Sequence, residues 1–109
     1  MVRRHIQIEE AIAHLAGVFL ARESNVKALI TVTHAELTDD LKSATIFLSI
    51  LPEKDEEATL KLVKRLRSDL REYIKKNSFL HPIPFVEFEI DYGEKNRQRI
   101  DELTRKKIA

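Results

Sequence analysis

Between Lys61 and Lys76 the chain carries seven cationic side chains, Lys61, Lys64, Arg65, Arg67, Arg71, Lys75 and Lys76, against two carboxylates, Asp69 and Glu72. A local excess of one sign is suited to an anionic partner, because clustered cations neutralise phosphates or carboxylates brought against them. At ~100° per residue, Lys64, Arg67, Arg71 and Lys75 follow one another by three, four and four, so they share one helix face. Part of this run has an ordinary explanation. Lys75 and Lys76 fall where cations complement a helix C-terminus, and long basic side chains are common on a wet face. The stripe is better matched to a polyanion, and at this level both a nucleic acid and an acidic protein remain open. Net charge does not decide between them, since the whole chain carries a formal +1.

Other chemistries find less support. His5, His14, His34 and His81 are scattered, with only His5 and Glu9 at helical spacing, whereas a zinc site needs three or four convergent ligands. Asp39 and Asp40 form a carboxylate pair, yet in a short turn local hydrogen bonding accounts for them. Thr31, Ser43 and Ser49 have no evident base, so nucleophilic catalysis is not indicated. The absence of cysteine removes disulfides, thiolate metal sites and thiol nucleophiles, and fits a reducing compartment. Two glycines, Gly17 and Gly93, are too few for a phosphate loop, a dinucleotide fingerprint or a G-x-x-G clamp.

The elements that position the cations follow from periodicity. Ile8, Ile12, Leu15, Ala16 and Phe19 recur at helical spacing, predicting a first helix over residues 3–23. Its basic start and apolar continuation are interrupted by Glu9, Glu10 and His14, so it reads as soluble sequence rather than a secretory signal or membrane span. "LITVTHAEL" is rich in β-branched residues and predicts a strand whose alternate residues face opposite sides; "ATIFLSIL" predicts a second, burying Ala44, Ile46, Leu48 and Ile50. The short link "TDDLK" suits an antiparallel hairpin.

Pro52 closes the second strand, and Asp55, Glu56 and Glu57 suit a helix N-terminus. The stripe Ala58, Leu62, Leu66, Leu70 and Ile74, with Val63 and Tyr73 alongside, permits one helix to about residue 77. Asp69 with Glu72 matches reciprocal N-terminal capping, which instead favours a break near Ser68-Asp69. After the proline loop "SFLHPIP", Val86, Phe88 and Ile90 alternate with Glu87, Glu89 and Asp91 in a third strand. A short C-terminal helix is expected over 94–108. The order α-β-β-α-(α)-β-α in one domain, with a helical crossover making strands 2 and 3 parallel, predicts an α+β two-layer sandwich on a mixed sheet of order 1-2-3.

The stretch "TVTHAELTDDLKSATIFLSIL", an acidic-start helix and "HPIPFVEFEID" together resemble the bacterial ribosome-binding factor A family. Thr38-Asp39-Asp40-Leu41 with Ala44, Ile46 and Ser49 matches its hairpin pattern, and Pro84, Val86, Phe88 and Asp91 match its last strand. The resemblance covers nearly the whole chain. It implies a type II KH-like fold in which an A-x-G kink between two helices replaces the G-x-x-G loop. Here that kink falls on Leu66-Arg67-Ser68, with leucine for alanine and serine for glycine, so capping by Ser68 or Asp69 would have to replace glycine's freedom. The resemblance further implies a non-enzymatic factor that binds the small ribosomal subunit and assists late 16S rRNA maturation. On that basis the expected RNA-binding residues are Arg3, Arg4, Lys61, Lys64, Arg65, Arg67, Ser68, Arg71, Lys75 and Lys76, with Tyr73 the run's only aromatic for base stacking. The chain is expected to be a cytoplasmic monomer without cofactor, metal, small-molecule substrate or membrane partner. The competing expectation is a module that docks an acidic protein through the basic helix or a sheet edge.

Overall fold

The alternating residues of "SATIFLSIL" place Ala44, Ile46, Leu48 and Ile50 on one face, and all four are buried in the computed structural model, which describes residues 2–94. They belong to β2 (Ser43–Leu51), the central strand, which pairs antiparallel with β1 (Leu29–Leu37) and parallel with β3 (Phe85–Ile90). The mixed order β1-β2-β3 is the one the crossover length predicts. Val86, Phe88 and Ile90 join the buried face; Phe88 is wholly enclosed, a burial that contributes about 1.5–3 kcal/mol.

Strict alternation fails along β1. Val32 lies opposite Leu48 and His34 opposite Phe47, so Thr33 is an extra residue, a β-bulge. The helix-facing positions become Ile30 and Val32 before the bulge, then Ala35 and Leu37 after it.

The helices pack on the same sheet face, giving two layers. α1 (Val2–Glu23) lies mainly against β1 and buries Ile12, Ala16, Phe19 and Leu20. At its first turns, Glu9 Oε2 accepts the Leu37 N–H at 2.7 Å, and His5 Nε2 lies 2.8 Å from the Leu37 carbonyl. The His5–Glu9 pair therefore closes the end of an edge strand.

A 3-10 turn (Glu53–Asp55) leads into α2 (Glu56–Lys64), and α3 (Arg67–Asn77) completes the crossover. The buried residues here are Thr59, Val63, Leu70 and Ile74, with Leu66 partly buried; Ala58 and Leu62 of the expected stripe are exposed instead. Steps of four outrun the 3.6-residue turn by about 40° each, so a stripe stepping only by four drifts off the core. The true face advances by four, three, four and four. Residues 92–94 are helical, with the Glu94 N–H donating to Asp91 Oδ1 at 3.0 Å, and the rest of the expected C-terminal helix, 95–108, lies outside the described residues.

Candidate nucleic-acid interface

Two helices replace one where the chain crosses Arg65 and Leu66. Leu66 N–H donates to the Val63 carbonyl at 2.9 Å, a tightened last turn, and Leu70 N–H donates to the Leu66 carbonyl at 2.9 Å, which restarts the helix. Leu66 adopts φ −92°, ψ 5°, the bridge region open to any residue. Among the described residues the one non-glycine positive φ is at Leu41, far from the break. The break is thus two to three residues earlier than the Ser68-Asp69 position that capping chemistry suggests, and no side chain caps α3. Asp69 lies in the first turn of α3 without capping it. Arg67 stabilises the break instead, its Nε donating to the Lys64 carbonyl at 2.9 Å at the end of α2. This geometry requires no left-handed residue, so neither Leu66 nor Ser68 needs the conformational freedom of glycine.

The predicted stripe divides into held and free cations. Arg67 Nη1 donates to Glu87 Oε2 at 2.6 Å, and Lys64 Nζ lies 4.0 Å from Glu87 Oε1. Arg71 reaches the loop before β3: Nε donates to the Pro84 carbonyl at 3.2 Å and Nη2 to that of Ile83 at 3.1 Å, with its guanidinium 4.6 Å from the Phe85 ring centroid. Lys61 pairs loosely with Glu57 at 3.8 Å, both exposed. Arg65, Lys75 and Lys76 are exposed and have no ion pair among the described residues. Ser68 is exposed in the first turn of α3.

Arg4 is not brought to the helix break. It lies in the first turn of α1, whereas Glu23 and Ser24 at the other end line a groove of about 280 Å³ with Leu62, Val63, Arg65 and Leu66 at the break. Twenty-odd helical residues at 1.5 Å each put roughly 30 Å between the two ends. The Arg3 side chain lies outside those described.

Tyr73 is not free for stacking, because its half-buried ring packs on Phe19 with centroids 5.6 Å apart. Sequence reading missed Glu87, whose carboxylate serves two cations of the stripe, and Phe79, which is wholly exposed in the loop after α3. Glu87 was visible as a wet-face strand residue, but its meeting with α3 depends on the parallel crossover. Phe79 carried no periodic signal.

The remaining candidates have structural settings. Asp40 Oδ1 accepts the Thr38 hydroxyl at 2.6 Å and the Lys42 N–H at 3.1 Å, and these bonds hold its carboxyl below the ordinary range. His34 stacks on Phe47 at 4.5 Å between Glu36 and Asp91. Among the described residues no three His, Cys, Asp or Glu side chains converge on a metal position.

With this geometry in place, comparison with known proteins is informative. The family profile described as ribosome-binding factor A matches residues 3–104. Ribosome-binding factor A of Gemmatimonas aurantiaca is 32% identical over 109 residues, spanning 96% of this chain and 75% of the relative. The crystal structure of ribosome-binding factor A from Thermus thermophilus superposes with a TM-score of 0.72 at 17% identity, over 79% of this chain and 93% of that one. A homology model of the Thermus thermophilus factor, fitted into a cryo-EM map of a complex of that factor with 30S, gives 0.68 at 17% identity, over 78% of this chain and 92% of that one. At these identities the structural likenesses establish a shared fold, including the mixed sheet and its helical layer.

Proposed function

The chain belongs to the ribosome-binding factor A family, and we propose that it binds the small ribosomal subunit through rRNA and assists late maturation of 16S rRNA as a non-enzymatic, cytoplasmic, monomeric factor with a KH-like fold. Among the described residues no helix is long and apolar enough to cross a membrane. The observation that carries the reading is the break at Arg65–Leu66, which sets an uncapped helix N-terminus among exposed cations. First-turn N–H groups of α3 and the Arg65 guanidinium offer donors to a phosphate, and Lys61, Lys64, Arg67, Ser68, Lys75 and Lys76 extend the contact along both helices. Arg71 acts here chiefly by fastening the loop before β3. Arg3 and Arg4 meet a more distant part of the RNA.

This assignment separates cations that are free to bind from cations with structural partners. Arg65→Ala and the Lys75→Ala/Lys76→Ala pair remove no side-chain hydrogen bond or ion pair among the described residues, so they report chiefly on binding. Each removed phosphate contact lowers the log-log salt slope by about one for duplex RNA-like charge density, and less for single strands. Titration of small-subunit particles with these variants across a salt series tests the reading. Unchanged affinity and slope in all of them would sink it.

A further inference from the structure

Phe79 is completely exposed, at 107% of its reference area, although the loop around it is fastened on both sides. Ser78 Oγ donates to the Ile74 carbonyl at 2.7 Å and accepts the Leu80 N–H at 3.3 Å. Leu80 and Ile83 pack against the core, and Arg71 holds the Ile83 and Pro84 carbonyls. The backbone around the ring is thus ordered while the ring itself gains no burial, so packing within the chain does not account for it.

Single exposed apolar side chains are ordinary on a protein surface. Phe79 differs in its surroundings. Lys75 and Lys76, in the last turn of α3, are exposed and unpaired among the described residues, and four residues of chain keep Phe79 within about 14 Å of Lys75. His81 is exposed on its other side, and no carboxylate occurs from Asn77 to Pro84.

We infer that Phe79 is a stacking platform for an unpaired RNA base, with Lys75 and Lys76 on the flanking phosphates. The inference rests on the small-subunit reading above and supplies the aromatic that Tyr73, packed on Phe19, does not. A ring beside uncompensated cations is the combination that single-stranded nucleic acid uses: the ring takes any base face and the cations follow the backbone. Lys75 and Lys76 complement the C-terminus of α3 in any case, but an apolar protein partner would use the ring without the exposed charge beside it, whereas RNA uses both.

The chain contains no tryptophan, so Phe79→Trp introduces a single fluorescent reporter at the proposed contact. Full-length parent, F79W and F79A are titrated with unstructured oligouridine and, separately, with small-subunit particles. F79W should bind like the parent with its emission quenched at saturation. F79A should bind oligouridine about five- to 150-fold more weakly, the range that loss of one stacked base produces. Its thermal unfolding should match the parent, since the ring buries nothing. Equal binding by F79A with unquenched F79W emission overturns the stacking site while leaving the small-subunit reading intact. So does a parent that binds subunits but no oligouridine, or an F79A protein that loses subunits while keeping oligouridine, which would assign the ring to a ribosomal protein. A parent that binds neither probe removes the small-subunit reading itself, and the stack with it.

Discussion

Glu87 Oε2 accepts a hydrogen bond from Arg67 Nη1 at 2.6 Å, so a carboxylate on the wet face of β3 holds a cation of α3. Its other oxygen lies 4.0 Å from Lys64 Nζ. One acidic side chain therefore offsets two of the four stripe cations, and all three groups are about half exposed. An exposed pair of this kind contributes only about 0.2–1 kcal/mol to stability, so its larger effect is on the field that an approaching polyanion meets. Glu87→Gln should leave the urea midpoint nearly unchanged but tighten RNA binding and steepen the log-log salt slope by about one to two. If affinity and slope both match the parent, Lys64 and Arg67 do not face the RNA.

Arg71 makes a different kind of contact. It donates to two loop carbonyls and lies over Phe85, a geometry that depends on the planar fork of the guanidinium. Arg71→Ala should cost about 1–3 kcal/mol, from two lost charge-assisted bonds and a lost cation–π contact. Arg71→Lys should recover little, since an ammonium is a point charge that cannot span both carbonyls. Urea unfolding of the three proteins checks this; a lysine variant as stable as the parent would show that charge alone holds the loop.

Residues with a strong period were legible in the sequence, and residues placed by long-range geometry were not. Ala44, Ile46, Leu48 and Ile50 announced the central strand, and the crossover length dictated the parallel pairing with β3. The hidden bulge at Thr33 left one trace, the spacing of three between Val32 and Ala35 where a regular strand has two. The helix break was signalled through Asp69 and Glu72, but tight turning at Leu66 and the Arg67 bond to the Lys64 carbonyl produce it. Lys64 lies on α2 and Arg67, Arg71 and Lys75 on α3, so the single face predicted for an unbroken helix is interrupted at the break, although Lys64 and Arg67 still meet at Glu87. Which of the four remain free depended on Glu87 and the carbonyls of Ile83 and Pro84, groups 12 to 23 residues away in sequence.

Leu41 occupies the left-handed region, with φ 63°, in the hairpin turn that its own N–H closes onto the Thr38 carbonyl at 2.9 Å. A leucine there costs on the order of 1–2 kcal/mol relative to a residue at ease with positive φ. Its side chain is 41% exposed, so replacing it sacrifices little packing. Leu41→Asn should stabilise the protein by about 0.5–1 kcal/mol and raise the thermal midpoint by a few degrees. A midpoint below the parent's would mean that the leucine makes compensating contacts.

Asp40, one residue earlier, couples the same turn to pH. The Thr38 hydroxyl and the Lys42 N–H favour its ionised form and lower its pKa from the ordinary 3.8. A depressed folded-state pKa means that the unfolded chain binds the proton first as pH falls. The contribution is complete above 3.8 and fades as pH drops through that value toward the lower folded one. Stability differences between the parent and Asp40→Ala should therefore be constant near neutrality and shrink in acid. A difference independent of pH would separate the role of Asp40 from its charge.

Glu9 secures the end of β1 from outside the sheet, accepting the Leu37 N–H at 2.7 Å while His5 engages the same residue's carbonyl. Leu37 is buried, so removing the acceptor strands an amide in a poorly solvated place, a loss of about 1–3 kcal/mol. Glu9→Gln keeps an amide oxygen for the bond and should cost less than Glu9→Ala. The alanine variant also exposes unpaired backbone at a sheet edge, which is a template for another strand. Urea unfolding should rank the proteins parent, Glu9→Gln, Glu9→Ala, and sedimentation at rising concentration should show self-association in the alanine variant alone. An alanine variant that is as stable and as monodisperse as the parent would mean that β1 needs no such guard.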